Sequence, residues 1–315
     1  MADENKDEDR VVRNGGPQRG RHAAPVDGAI VVDPDERLML TREDFEAAGG
    51  RLVVHGEEGA RAIVQEGAAR PGDMLIAAGA LRLECDDPRL SLAVDDKARA
   101  VVSRASSLLA LGHSEADVSY AWSGKAFPVT ADDYSLCTVR GDGRLNSVRV
   151  TGTGHATVVA HDVPDLRLDG KANGAVFGDT RVLMSGASQA DLYDRSSAVL
   201  RHEALANVMD DARAEAYDEA IVTPGQDPAV QEPMAGYGNV PEEILRRGAH
   251  HAPDPANVRL MGDADDPTGT FGAAGEIAAQ RRTDEAREVH RASTAARVLS
   301  EAPAGADGPQ DEPAR

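Results

Sequence analysis

The chain has 315 residues, of which only 41% are hydrophobic and 3% aromatic, and its formal net charge is -20. So few large side chains argue against a broad closed core and for a narrow stack packed with Ala, Val, Leu and Gly. The charge argues against direct binding to a nucleic-acid backbone, which needs clustered Lys and Arg to displace counterions, and by itself serves solubility.

Residues 1–27 mix acidic, basic, Gly and Pro residues with little apolar content, and are expected to be a disordered tail. Residues 28–50 read as N-terminal strands and a cap helix. Ala29 to Val32 and Leu38 to Leu40 flank the turn residues Asp33, Pro34 and Asp35. Thr41, with Asp44 three residues on, resembles a capping box, and Gly49 and Gly50 stop the helix. The piece is expected to shield the open end of the first coil.

From Arg51 to Leu200 short apolar runs of three to five residues recur at a spacing of about nine, separated by Gly and Asp. The strongest copies are Ala156 to Ala160, Ala175 to Phe177 and Ala198 to Leu200. Runs this short, with Ala, Val and Leu rather than aromatics at the inward positions, predict a mainly β fold, a single-stranded β-solenoid over 51–200 whose coils each give two or three strands. The alternative is an antiparallel β-sandwich, which the uneven spacing and the prolines 128 and 164 leave open. Residues 201–222 carry Leu205, Val208, Met209 and Ala212 at helical spacing and predict a capping helix. A Pro/Gly/Asp-rich linker over 223–270 follows, then a marginal helix over 271–302 with a thin stripe of Ile277, Val289, Val298 and Leu299, then a disordered tail over 303–315.

The Ala-x-Val-x-Ala pattern at Ala156 to Ala160, echoed at Ala62 and Ala100, resembles the degenerate alanine and valine repeats of bacterial and phage β-solenoid proteins, and more loosely the bactofilin-like polymer-forming solenoids. The resemblance spans about residues 51–200 and implies a stiff rod or platform for assembly. It carries no catalytic residue with it.

Motifs that carry chemistry are sparse. Cys85 and Cys137 lie far apart in apolar context and read as buried free thiols without a disulfide or metal role. Gly152-x-Gly154 and Gly236-x-Gly238 lack the rest of a dinucleotide loop, so no cofactor is expected. Arg140-Gly141-Asp142 reads as turn chemistry, and His250, His251 and Asp254 as a solvated segment without a metal. The N-terminus has no apolar leader and no long apolar run occurs, which predicts a cytoplasmic protein without a membrane span.

Three functions follow from this reading. The first is a non-enzymatic structural scaffold or adaptor, of phage or mobile-element origin, that binds a protein partner or self-assembles. The second is a sugar-active β-helix enzyme, with Asp132 and Asp133 as acid and base and Tyr120, Trp122, Phe127 and Tyr134 as stacking platforms. The third is an acidic decoy that imitates nucleic acid, which requires its carboxylates to line one face.

Overall fold

The computed structural model of the protein describes residues 28–119, 126–143, 148–224 and 255–262, together with Val289 and Ala292. Successive strands alternate between two sheets. Twelve strands form sheet A, from Ala29–Val32 to Val258–Gly262, and eleven form sheet B, from Arg37–Leu40 to Ile221–Pro224. Each strand pairs in parallel with the strand two places on in the chain, for example Leu166 with Val182 in sheet A and Val158 with Gly174 in sheet B. The fold is therefore a β-solenoid with two strands per coil. The antiparallel sandwich is ruled out, because every described pairing is parallel.

The core follows from the period of two along a strand. In sheet A one inward column runs Leu52, Leu75, Leu92, Leu108, Val129, Val150, Leu166, Val182, Ala198 and Ala214, all buried and in register. Opposite it, sheet B contributes Leu38, Ala62, Leu83, Ala100, Ala116, Cys137, Val158, Gly174, Ala190 and Ala206. Side chains of Leu, Val, Ala and Cys in these two columns are small enough to fill a narrow gap between the sheets without a large ring. Each fully buried Leu contributes about 2 kcal/mol. Such a column explains why so few aromatic residues suffice.

At the corner leading from sheet A into sheet B one position takes a left-handed backbone in every regular coil. Asp96, Asp133, His202 and Asp218 stand there with φ of 56 to 59°, and Gly112, Gly154, Gly170 and Gly186 occupy it in the coils between. Gly and Asp tolerate this conformation, which is why they mark the beat in the sequence. The aspartates also carry a stacking bond. Asp96 Oδ2 accepts the Gly79 N–H at 3.3 Å, Asp133 Oδ2 that of Gly112 at 3.3 Å and Asp218 Oδ2 that of His202 at 3.3 Å. At the opposite corner Asp194 accepts from Gly178 at 3.0 Å and Asp210 from Asp194 at 3.1 Å. Part of the negative charge is thus spent on tying one coil to the next.

The helix Arg42–Ala47 begins on the expected capping box, in which Asp44 Oδ2 accepts the Thr41 N–H at 2.7 Å. It is inserted in the first coil, and its Phe45, 1% exposed, enters the core.

Three boundaries differ from the sequence reading. The solenoid starts at Ala29 and continues past Leu200. Residues 201–222 form no capping helix but the strands Leu205–Val208, Arg213–Tyr217 and the start of Ile221–Pro224. Leu205, Val208, Met209 and Ala212 are spaced for a helix, yet 16 residues earlier Gln189, Leu192, Tyr193 and Ser196 hold the same places in the preceding coil, whose open strand edge templates the next. Within the expected linker, Pro255–Asn257 makes a turn of 3-10 helix and Val258–Gly262 pairs with Arg213–Tyr217 through a register shift. The expected tails, 1–27 and 303–315, lie outside the described residues, as does most of the expected 271–302 helix, of which Val289 and Ala292 are helical.

Candidate interaction faces

The predicted sugar site falls on a corner. Asp132 Oδ1 accepts the Asp133 N–H at 2.8 Å, and Asp133 bonds the Gly112 N–H as described, so both carboxylates are engaged by backbone amides. Tyr134 is 60% exposed, but its ring lies between His113, with centroids 5.4 Å apart, and His155, at 5.0 Å, both nearly parallel to it. Both faces are covered by these neighbours, so only its edge is open and a sugar has no face to stack on. Phe127 is 1% exposed and belongs to the core, which removes it as a platform. Tyr120 and Trp122 lie outside the described residues.

The remaining ionisable candidates are held structurally. Cys85 and Cys137 are free and buried, and burial pushes both thiols up to about 12, where thiolate chemistry is suppressed at neutral pH. Arg140 pairs with Asp117 at 2.7 Å, and the Gly141 N–H donates to the His161 carbonyl at 2.9 Å, so this tripeptide is part of the stack. His250, His251 and Asp254 lie outside the described residues. Among the described residues no three His, Cys, Asp or Glu are placed to hold a metal ion, and no helix is long and apolar enough to cross a membrane.

The outward face of sheet A carries a groove of about 670 Å³ near its C-terminal end. Its floor holds Leu183 and Val199, neighbours in one outward column, and a parallel column places Arg181, Ser197 and Arg213 in register. Pro164 and Asp165 wall one end, and Ala256, Asn257 and Arg259 the other. Arg259 pairs with Glu215 at 3.7 Å and Arg149 with Asp165 at 3.5 Å. Arg181 and Arg213 are exposed and make no ion pair among the described residues. The groove thus combines an apolar floor, two guanidinium groups without an ion pair among the described residues, and a polar rim.

No family model matches the chain. Neither a curated protein nor a solved structure matches it significantly.

Sequence reasoning did not find the groove, because attention to apolar runs ignores the residues between them. A usable signal exists. Arg181, Ser197 and Arg213 recur every 16 residues, as do Leu183, Val199 and Glu215, so aligning the coils on that period lays out the outward columns directly.

Proposed function

We propose that this protein is a non-enzymatic scaffold or interaction adaptor that binds a protein partner on the outward face of sheet A. The observation that carries the reading is the groove over Leu183 and Val199 with Arg181 and Arg213 beside it, set on a continuous stack whose inward residues are occupied with packing. A rigid column of strands holds such a face flat without loop closure or side-chain ordering, which lowers the entropy cost of binding. The phage or mobile-element origin suggested by the Ala and Val repeats, and self-assembly through the strands at the ends of the stack, are part of the same proposal. The corner engagement of Asp132 and Asp133 and the covered faces of Tyr134 weigh against the sugar-enzyme alternative. Arginine columns on both sheets weigh against the nucleic-acid decoy, which needs an unbroken acidic face.

The test is affinity capture from the native host with the full chain as bait, beside a glycan-cleavage assay. A stoichiometric protein partner, retained by Asp132→Asn/Asp133→Asn and lost by Arg181→Glu/Arg213→Glu, is the expected result. Glycan cleavage that disappears in the Asp132→Asn/Asp133→Asn variant would overturn it.

A further inference from the structure

A second surface lies on sheet B, at the other end of the rod. Its first four strands begin Arg37-Leu38-Met39-Leu40, Arg61-Ala62-Ile63-Val64, Arg82-Leu83-Glu84-Cys85 and Arg99-Ala100-Val101-Val102. The register pairs Arg37 with Arg61, Arg61 with Arg82 and Arg82 with Arg99, so four guanidinium groups stand in one outward column. All four are exposed. Only Arg99 has a carboxylate within ion-pair distance among the described residues, Glu115 at 3.2 Å on the next strand. Lys97 adds a fifth cation beside the column, in a shallow groove of about 440 Å³ that Arg61, Arg82 and Arg99 also line.

Like charges directly opposite each other in a sheet are destabilising. Four in succession, in a chain of net charge -20, make a local positive stripe that is only partly offset, by Glu115 on Arg99 and by Glu58 at the groove wall, while Arg37, Arg61 and Arg82 make no ion pair among the described residues. We propose that this stripe is a docking site for the acidic face of an α-helix from a partner protein, laid along the solenoid axis. The inference rests on the scaffold reading and names the chemistry of a partner for a second face.

The match is one of spacing. Adjacent strands lie about 4.8 Å apart, so four arginines span about 14 Å. An α-helix advances 5.4 Å per turn, and carboxylates at i, i+4, i+7 and i+11 stand on one face over about 16 Å. The flexible arginine stems take up the difference of about 2 Å. An extended strand presents same-face side chains only every ~6.8 Å and falls out of step by the third contact. Beside the arginines runs a second column, Met39, Ile63, Glu84 and Val101, in which Val101 is 49% exposed and Met39 half-buried while Ile63 is buried at 7%, so Met39 and Val101 are its open apolar contacts. A helix with acidic residues on one stripe and apolar residues on the next meets both columns, while Glu84 disfavours a partner that is acidic all round. The protein's overall negative charge works against longer polyanions such as nucleic acid.

The test uses the full chain and a labelled alanine-based helical peptide with Glu at i, i+4, i+7 and i+11. A peptide of identical composition with its Glu residues distributed around the helix, and a short DNA duplex, serve as comparisons. The one-faced peptide is expected to bind at low salt, the redistributed peptide about tenfold more weakly, and Arg61→Glu/Arg82→Glu to abolish binding with a melting temperature no lower than that of the native chain. Equal binding of the two peptides, tighter binding of the duplex, or binding that survives Arg61→Glu/Arg82→Glu overturns the proposal. A captured partner that is lost with Arg181→Glu/Arg213→Glu but kept with Arg61→Glu/Arg82→Glu, where the peptide also fails to bind, overturns this site alone and leaves the scaffold reading standing.

Discussion

One outward column of sheet A runs the length of the rod and is used in opposite ways at its two ends. In the N-terminal coils it reads Ala29, Val53, Ile76, Ala93 and Leu109, and this apolar strip is closed over by Val289, 1% exposed, with Ala292 beside it. In the C-terminal coils the same column reads Arg167, Leu183, Val199 and Glu215 and stays open as the floor of the groove. The inward columns hardly differ in kind between the two ends. Inward residues specify the solenoid while outward residues decide what each stretch of it presents, a strip covered by Val289 and Ala292 of the same chain at one end and an open groove, the proposed partner site, at the other.

Inward substitutions should break the fold most severely. Val158 is fully buried in sheet B, and Val158→Asp places a charge without a partner in the apolar column. A loss of more than about 4 kcal/mol is expected in a denaturant melt, with the soluble fraction falling accordingly. A loss under about 1 kcal/mol would show that this column does not face inward.

Truncation at the capped first coil comes next. Phe45→Ala should cost about 3 to 4 kcal/mol by emptying the space the ring fills in the core. On the outward side, Val289→Asp should cost about 1 to 3 kcal/mol and release the covering segment from Val53 and Ile76, seen as faster amide exchange on the N-terminal strands. If exchange rises equally in the C-terminal strands, the two ends are not distinct.

Acid sharpens the comparison in the N-terminal corner. The Asp86 carboxyl is held below the usual carboxylate range by its bond from the Arg104 guanidinium at 2.6 Å. Burial works to raise that of Asp87, but N–H groups of Ala69 and Arg89 and the Arg89 side chain outweigh it and lower it. Both groups bind protons less readily when folded, so their stabilisation is complete above the ordinary carboxylate value of about 4 and is lost as pH falls through the lower folded values. The stability gap between the native chain and Asp87→Asn should therefore narrow as pH drops below about 4. A gap constant with pH would contradict the assignment.

Corner positions should show the smallest effect. Asp162 has φ 53° and its Oδ1 accepts the Asp179 N–H at 3.0 Å. Asn keeps both the acceptor and the tolerance for this backbone, so Asp162→Asn should stay within about 0.5 kcal/mol, whereas Asp162→Ala should cost about 1 to 2 kcal/mol. Equal melts for the two would remove the corner's conformational role.

The parts legible in the sequence were those set by local rules. Ala, Val and Leu beats with Gly and Asp between them gave the stacked coils, because burial and left-handed corners impose those residues coil by coil, and Thr41 with Asp44 gave the cap. Residues 201–222 depart from the expected helix because Leu205, Val208, Met209 and Ala212 are spaced for one locally, while the edge of strand Gln189–Leu192, which decides the outcome, belongs to another part of the chain. Phe127 and Tyr134 looked alike as aromatic platforms, since the sequence does not say that one enters the core and the other is stacked between His113 and His155. The arginine column was present in plain view at the head of four apolar runs. Its meaning depends on register, which only the unequal coil lengths of 24, 21 and 17 residues between Arg37, Arg61, Arg82 and Arg99 bring into line.

Partner capture combined with a melt, on the native chain and on Arg181→Glu/Arg213→Glu, tests the central claim most directly. Both arginines are exposed and lie outside the core, so the melt should be unchanged within about 1 kcal/mol while capture of the protein partner is lost. Capture that persists at full strength in a variant that still melts like the native chain would contradict the assignment of binding to this outward face.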